Sequence, residues 1–594
     1  MSLDHGVIGN GNLIALIHPD TGVDWLCVPR FDSPSVFGRL LDRERGGTWR
    51  FLRDGKPIEG KTKYVRNTNV LMHTFESGED AWELFDFMPR IPAGLRHRAP
   101  LRMVRMMRPL RGRPRLSVEL DPRPDYARTE ASIVPTDHGV IIGGAGVPLT
   151  LYSNLPAPYL TNGSEFTLDR PRYFVLDCGS QHPPMHLDEV NHELDLTIAG
   201  WRAWAQSCWL PGFKDDEVIR SALCLKLHAY NETGAIIAAT TTSIPEVIGQ
   251  PRTWDYRYCW LRDSVFTVEA LRRLSHFQEG RNFMQFVMDV AECGPLQPLY
   301  GIGGERDLHE MELDHLSGYK GTRPVRVGNQ ASEQRQTDLM GEVVLCLRTM
   351  LTDRRVQIQQ PRAWLPLVER MVQEALDSFD EADLGIWEYR GEPRLFTFSR
   401  AMCWAAVHHG AAIACHFDEP ELARTWQKEA DRMREVVLSE HYSVDSGMFI
   451  QAIGVEEADA SNLLLPSIGI IEHTDPRFLS TLEAYSKRLV RDGGVMRYVH
   501  EDDFGKPDST FTICSFWWIE ALALAGRLDE AVEMFEKVIA HANPLGLFSE
   551  DVDSSTGELL GNFPQAYTHV GLINAAMTIG TLLRARDGRM HAWT

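Results

Sequence analysis

No apolar run of about eighteen residues occurs in the chain, so nothing in it is built to cross a bilayer as a helix. The first 25 residues, MSLDHGVIGNGNLIALIHPDTGVDW, lack a basic opening, a long apolar stretch and a small-residue cleavage site, and a cytoplasmic location is expected. No C-x-x-C pair is present either. The 10 Cys are scattered, and Cys259, Cys346 and Cys514 sit inside apolar runs, which argues against a disulfide framework and predicts reduced, buried thiols. Positive charge is in deficit, with 61 Lys plus Arg against 82 Asp plus Glu and a formal net charge of −21. A nucleic acid or an anionic membrane surface is therefore excluded as partner, and a neutral small molecule fits better. An oligomer of this chain is neither required nor opposed by its composition.

What is present is size and a change of rhythm. At 594 residues the chain exceeds the usual single core and predicts two or more domains. Residues 1–195 alternate short apolar stretches such as GNLIALIHP, LSVELDPRP and RYFVLDCG with Gly, Pro and Asp, the pattern of antiparallel strands without long helices between them. A β-sandwich is expected there, followed by a linker over 196–214. From 215 to 594 the period becomes helical, opening on DDEVIRSALCLKLHAYN, with three acids where a helix N-terminus favours them. Eleven further windows follow, at about 263–275, 279–292, 333–352, 362–379, 397–416, 419–440, 461–471, 476–491, 512–526, 528–542 and 567–586. In ALALAGRLDEAVEMF, Gly526 and Asp529 read as a C-cap and an N-cap between two of them. Twelve paired helices with no fixed repeat period predict a closed (α/α)6 barrel rather than an open solenoid.

Four loop segments at helix boundaries combine carboxylates with aromatic side chains: TWDYRYCWLRDS at 253–264, residues 304–338, DLGIWEYRGEPRLFTFSRAM at 383–402, and GLFSEDVDSSTGELLGNFPQAYTH at 546–569. Taken singly each has an ordinary structural explanation, a core aromatic beside a helix-start charge or a solvated loop acid. Two other patterns carry no chemistry. Gly9 to Ala15 loosely matches a dinucleotide fingerprint but runs into HPDTG instead of a helix, and Asp307, His309, Glu310, Asp314 and His315 do not have metalloprotease spacing. No cofactor and no metal are expected.

Together the four segments resemble glycoside hydrolase family 15, the inverting glucoamylases, glucodextranases and bacterial trehalases, over nearly the whole chain. The resemblance implies that Glu388, in the loop with Asp383 and Trp387, is the general acid, and that Glu550, after Ser549, is the general base. It further implies that Tyr258, Trp260, Arg262 and Asp263 contact the terminal glucose, joined by Trp387, Arg497 and Tyr498. Tyr389 departs from the fungal glucoamylases, which carry a second acid at that place. The expected activity is exo-acting, inverting release of β-glucose from α-linked gluco-oligosaccharides. An α,α-trehalase of the same family is the close alternative, and a disaccharide phosphorylase, which needs only one protein carboxylate, or a non-catalytic sugar-binding protein are the readings from other classes. Two carboxylates suit hydrolysis because one donates a proton to the leaving oxygen while the other activates water on the opposite face.

Overall fold

The computed structural model describes residues 2–94, 96–179 and 184–588. Its N-terminal part is two antiparallel sheets of eight strands each. One runs through Gly6–Gly9, Ile14–Ile17, Val23–Cys27, Thr48–Arg53, Arg115–Asp121 and Phe166–Thr167, with Ser35–Phe37 and Lys56–Pro57 alongside. The other has the order Ser132–Thr136, Gly139–Gly143, Leu149–Ser153, Arg172–Cys178, Arg102–Arg111, Asp80–Phe87, Leu71–Ser77 and Lys61–Tyr64. Alternation along Leu71–Ser77 sends Leu71, His73 and Phe75 inward. Both sheets contribute to one apolar cluster, including Trp49, Phe51, Trp82, Met103 and Phe174, so this is a sandwich with its core between the layers. Two single-turn segments, α1 (Pro124–Ala127) and α2 (Pro158–Thr161), lie among these strands.

Helix α3 (Leu187–Gln206) occupies most of the stretch expected as an irregular linker; Trp201 and Val190 bury its inner face. Beyond it come α4 (Asp215–His228), α5 (Leu261–Arg273), α6 (Gln278–Glu292), α7 (Asp338–Thr352), α8 (Leu365–Ser378), α9 (Thr397–His416), α10 (Pro420–Glu440), α11 (Pro476–Arg488), α12 (Thr512–Leu524), α13 (Leu528–Ile539) and α14 (Ala566–Arg586). Helix α5 packs on α7, α7 on α9, α12 on α14 and α14 on α5, while the segment after Ala460 fills the gap between α9 and α12. Helices α6, α8, α10 and α13 pack outside this ring, and α4 closes on α14, joining the two ends of the chain's helical part. The result is the expected six-hairpin barrel.

Two local expectations are corrected. Residues 461–471 are not an α-helix: a 3-10 turn at Ala460–Leu464 gives way to turns, because Pro466 has no N–H to continue the ladder and Gly469 takes φ of 92°. Asp529 lies inside the first turn of α13 and Arg527 is the N-cap, although Gly526 does end the preceding helix with φ of 86°. The sandwich is bound to the barrel by specific hydrogen bonds. Trp25 donates to the Thr240 carbonyl at 2.8 Å, and the fully buried Arg257 donates to the Ser33 carbonyl at 2.8 Å and the Tyr126 hydroxyl at 2.7 Å.

Candidate active site

The inner helices α5, α7, α9, α12 and α14 begin at one end of the barrel, each opened by a loop or short strand. Entry to α5 is held by Cys259–Trp260 pairing with Leu299–Tyr300, and by the N–H groups of Ala238 and Ala239 donating to the carbonyls of Tyr258 and Tyr256. Two adjoining cavities form there. The inner one is bounded by Trp260, Arg262, Asp263, Gln565 and Tyr567. The outer one is bounded by Glu246, Arg252, Trp254, Arg390, Asp502 and Phe504. Glu388, Trp387, Tyr256 and Arg497 line both, and so stand at the junction.

Glu388 sits in a tight turn, its N–H bonding the Gly385 carbonyl at 3.1 Å, with φ of 59°, a left-handed conformation uncommon for a residue with a side chain. Three donors converge on one of its oxygens. Trp260 Nε1 lies 2.6 Å, Arg262 Nη2 3.3 Å and Gln336 Nε2 3.4 Å from Oε1, while no donor among the described residues reaches Oε2. A proton on this carboxyl therefore belongs on Oε2, the oxygen free to give it away.

Glu550 enters from the turn before the strand Asp551–Val552 and is 1% exposed. It sits directly behind the wall, not on it: Tyr256 donates to its Oε1 at 2.7 Å, and the Asn562 N–H approaches Oε2 at 3.3 Å. Gly561 makes this approach feasible, since a Cβ there would lie 2.6 Å from Glu550 Oε2. Burial, followed by the charges of Glu246 and Asp551, pushes the Glu550 pKa well above the usual carboxylate range. The ring of Tyr256 is 5.3 Å from that of Trp260, so two aromatic side chains connect the oxygens of Glu550 and Glu388.

The other expected residues divide into those facing the cavities and those behind them. Trp260, Arg262, Asp263, Trp387 and Arg497 line the cavities. Asp263 opens α5, and burial pushes its carboxyl up to about 6 against the pull of Arg262. Tyr258 packs instead with Ala238, Leu299 and Leu308. Tyr498 is buried behind Trp387, hydrogen-bonded to Asp502 and stacked near His500. Tyr389 stacks on Phe396, and its hydroxyl accepts from Gln451. Arg497 donates to Glu246, which also accepts from Trp254 Nε1 at 3.1 Å.

Several cavity residues were not singled out from the sequence. Tyr256 lies in the same segment as Tyr258, two residues away; Glu246 closes the stretch AATTTSIPE; and Arg390 follows the Glu388 loop and is held by Glu310 at 2.8 Å. Glu310 is thus engaged by Arg390 and Arg326, and His315 Nε2 lies 2.7 Å from the Tyr126 carbonyl oxygen. Among the described residues no group of three or more His, Cys, Asp or Glu is arranged to hold a metal ion.

A sandwich followed by a six-hairpin barrel, with buried carboxylates gathered at the N-terminal ends of the inner helices, is the architecture of a glycoside hydrolase. Residues 212–577 match the family described as glycosyl hydrolases family 15, and residues 4–157 match the trehalase-like N-terminal domain. The chain belongs to glycosyl hydrolases family 15. It is 36% identical to a trehalase of Mycobacterium tuberculosis, over 97% of this chain and 89% of that protein, and 32% identical to a trehalase of Thermoplasma volcanium, over 99% and 95%. The crystal structure of a bacterial glucoamylase complexed with acarbose has the same fold, with a TM-score of 0.71 at 14% identity, over 99% of this chain and 96% of that one. The chain is accordingly a glycoside hydrolase, and no helix among its described residues is long and apolar enough to cross a membrane.

Proposed function

We propose that the protein is an inverting α,α-trehalase, with Glu388 as general acid and Glu550 as general base. The observation that carries the substrate is the pair of cavities meeting at Glu388. Two adjoining compartments, one on each side of Glu388, suit a disaccharide, and the curated relatives that align over nearly the whole chain are trehalases. That reverses the order of preference at the sequence level, where gluco-oligosaccharides stood slightly ahead. The gluco-oligosaccharide reading keeps one support, the shared fold with the glucoamylase.

In the proposed reaction the inner cavity holds the glucosyl unit being transferred and the outer cavity holds the leaving glucose. Glu388 gives the proton on Oε2 to the glycosidic oxygen as the C1–O bond breaks. A water approaching from the Tyr256 side gives its proton to Glu550 as its oxygen bonds C1, so water is added across the bond and the anomeric centre inverts. Afterwards Glu388 is ionised and Glu550 protonated. Asp263 and Arg262 bind hydroxyls of the inner sugar, one accepting and one donating. Glu246 reaches the outer cavity more directly than Glu550, but both its oxygens are occupied, by Trp254 and Arg497. Both Glu550 oxygens are engaged as well, by Tyr256 and the Asn562 N–H, and Glu550 is preferred as the base because Ser549–Glu550, in the late loop before the final helix, fits the family pattern.

Incubation with trehalose, maltose, isomaltose and maltotriose, with and without phosphate, tests the reading. Trehalose is expected to be cleaved fastest, to free glucose, whether or not phosphate is present. Glucose 1-phosphate as a product would turn the reading into a phosphorylase, and preference for maltotriose would return it to the glucoamylases.

A further inference from the structure

Behind the cavity wall, α7 begins with Asp338 and carries Glu342 one turn later, so both carboxyls lie on the same face of the helix. Both are buried, at 1% and 2% exposure. Neither oxygen of Asp338, nor Oε1 of Glu342, accepts from a nitrogen or hydroxyl donor among the described residues; the two carboxyls approach each other instead. Water does not reach these oxygens, and leaving two carboxylates side by side without a donor is strongly unfavourable. One shared proton satisfies both.

The groups around the pair show which carboxyl holds that proton. Arg262 and Asp263 face it from α5, Asp383 and Glu388 from the loop before α9, Cys403 from α9 and Tyr567 from α14. Only Arg262 among these is cationic. Its Nη1 lies 3.9 Å from Asp338 Oδ2, its Nε 3.4 Å from Asp263 Oδ2, and its Nη2 3.3 Å from Glu388 Oε1. Asp338 is thus the member in contact with positive charge and keeps its negative charge. Burial raises both carboxyls, and at Glu342 burial followed by the charge of Asp338 pushes the carboxyl well above the usual range. Asp383 is held apart, accepting from the Thr337 N–H at 2.8 Å and hydroxyl at 3.0 Å.

We propose that Asp338 and Glu342 form a proton-sharing positioning pair: protonated Glu342 donates to ionised Asp338, whose charge holds and offsets Arg262 so that Arg262 does not strip Glu388 of its proton. One guanidinium faces four carboxyls, Asp263, Asp338, Glu342 and Glu388. With Asp263 and Asp338 ionised, its charge is already balanced, which weakens its pull on Glu388. The role assigned to Glu388 rests on the function proposed above; the shared proton does not.

Two measurements on the full-length protein test the pair. Infrared spectra of wild type and Glu342→Gln at pH 8 are expected to differ by a protonated-carboxyl C=O stretch present only in wild type. Its absence would overturn the shared proton, whatever the substrate. Glu342→Gln keeps a donor toward Asp338, so turnover is expected within about threefold of wild type with the pH profile unmoved. Asp338→Asn removes the offsetting charge, and the alkaline limb of kcat is expected to move about one pH unit lower, a tenfold loss above that limb, recovered on acidification. An unmoved limb, a loss equal at all pH values, or a shifted limb in Glu342→Gln would each overturn the coupling to Glu388. If Asp338→Asn does not fold, the infrared band and the Glu342→Gln profile still decide the matter. Should Glu388→Gln retain full activity, the functional reading fails while an observed infrared band leaves the proton-sharing pair standing.

Discussion

Buried charge is handled in opposite ways in the two halves of the molecule. In the sandwich, Asp86 and Arg105 are both 0% exposed and paired at 2.8 Å, with His73 at 3.2 Å. Asp24 is likewise enclosed by Arg39 at 2.6 Å and His5 at 3.0 Å. Burial opposes ionisation at both aspartates, yet these partners outweigh it and hold both carboxyls below the usual range. In the barrel mouth, Asp263, Asp338, Glu342 and Glu550 are also buried, but acids outnumber the neighbouring arginines and all four carboxyls are shifted upward. Balanced charge ties the sandwich together, Arg105 also donating to the Trp49 carbonyl of the other sheet at 2.7 Å. Unbalanced charge raises the proton affinity of carboxyls at the site.

Breaking the balanced half is expected to give the largest effect on folding. Asp86→Asn leaves Arg105 buried beside a neutral amide, and a loss of about 3–5 kcal/mol in stability by urea unfolding is predicted, with activity per folded molecule unchanged. The mirror experiment in the barrel removes chemistry instead of stability. Glu388→Gln and Glu550→Gln are each expected to lower turnover on trehalose at least about a hundredfold with little change in unfolding midpoint. Full activity in either variant would remove that residue from its role.

A smaller effect follows from linkage at Asp383. Burial raises its carboxyl from the ordinary 3.8 to about 6 in the folded protein, so the folded state binds the proton more tightly than the unfolded chain. The resulting stability is complete below the unfolded value and is lost as pH rises through about 6. Asp383→Asn is therefore expected to gain on wild type between pH 4 and pH 7, by at most about 2.7 kcal/mol, the equivalent of two pKa units. Denaturant unfolding of both proteins at the two pH values checks the sign; a constant difference would contradict it. The smallest effect is expected at Glu246, whose charge raises Glu550. Glu246→Gln should move the acid limb of kcat/KM lower by about one pH unit or less.

The sequence makes the architecture legible because the helices are strongly patterned: the windows at 397–416 and 567–586 coincide almost residue for residue with α9 and α14. It misleads where an apolar run contains its own breakers, as Pro466 and Gly469 do. Within the candidate site, Glu388 and Arg262 are visible as members of a motif, but the choice between Tyr256 and Tyr258 is made by pairing with Ala238 and Ala239, well away along the chain. Asp338 and Glu342 are the least visible. An acid at a helix start has an ordinary explanation in the helix dipole, and only the packing of α5 against α7 brings both carboxyls to Arg262.

Proton NMR of the first turnovers on trehalose tests the central claim most directly, because it reads the substrate and the stereochemistry together. Inverting hydrolysis by Glu388 and Glu550 predicts equal initial amounts of α- and β-glucose, one from each half of the disaccharide, before mutarotation mixes them. Release of α-glucose alone would mean retention and contradict the assigned pair of carboxylates, and no cleavage of trehalose would contradict the proposed substrate.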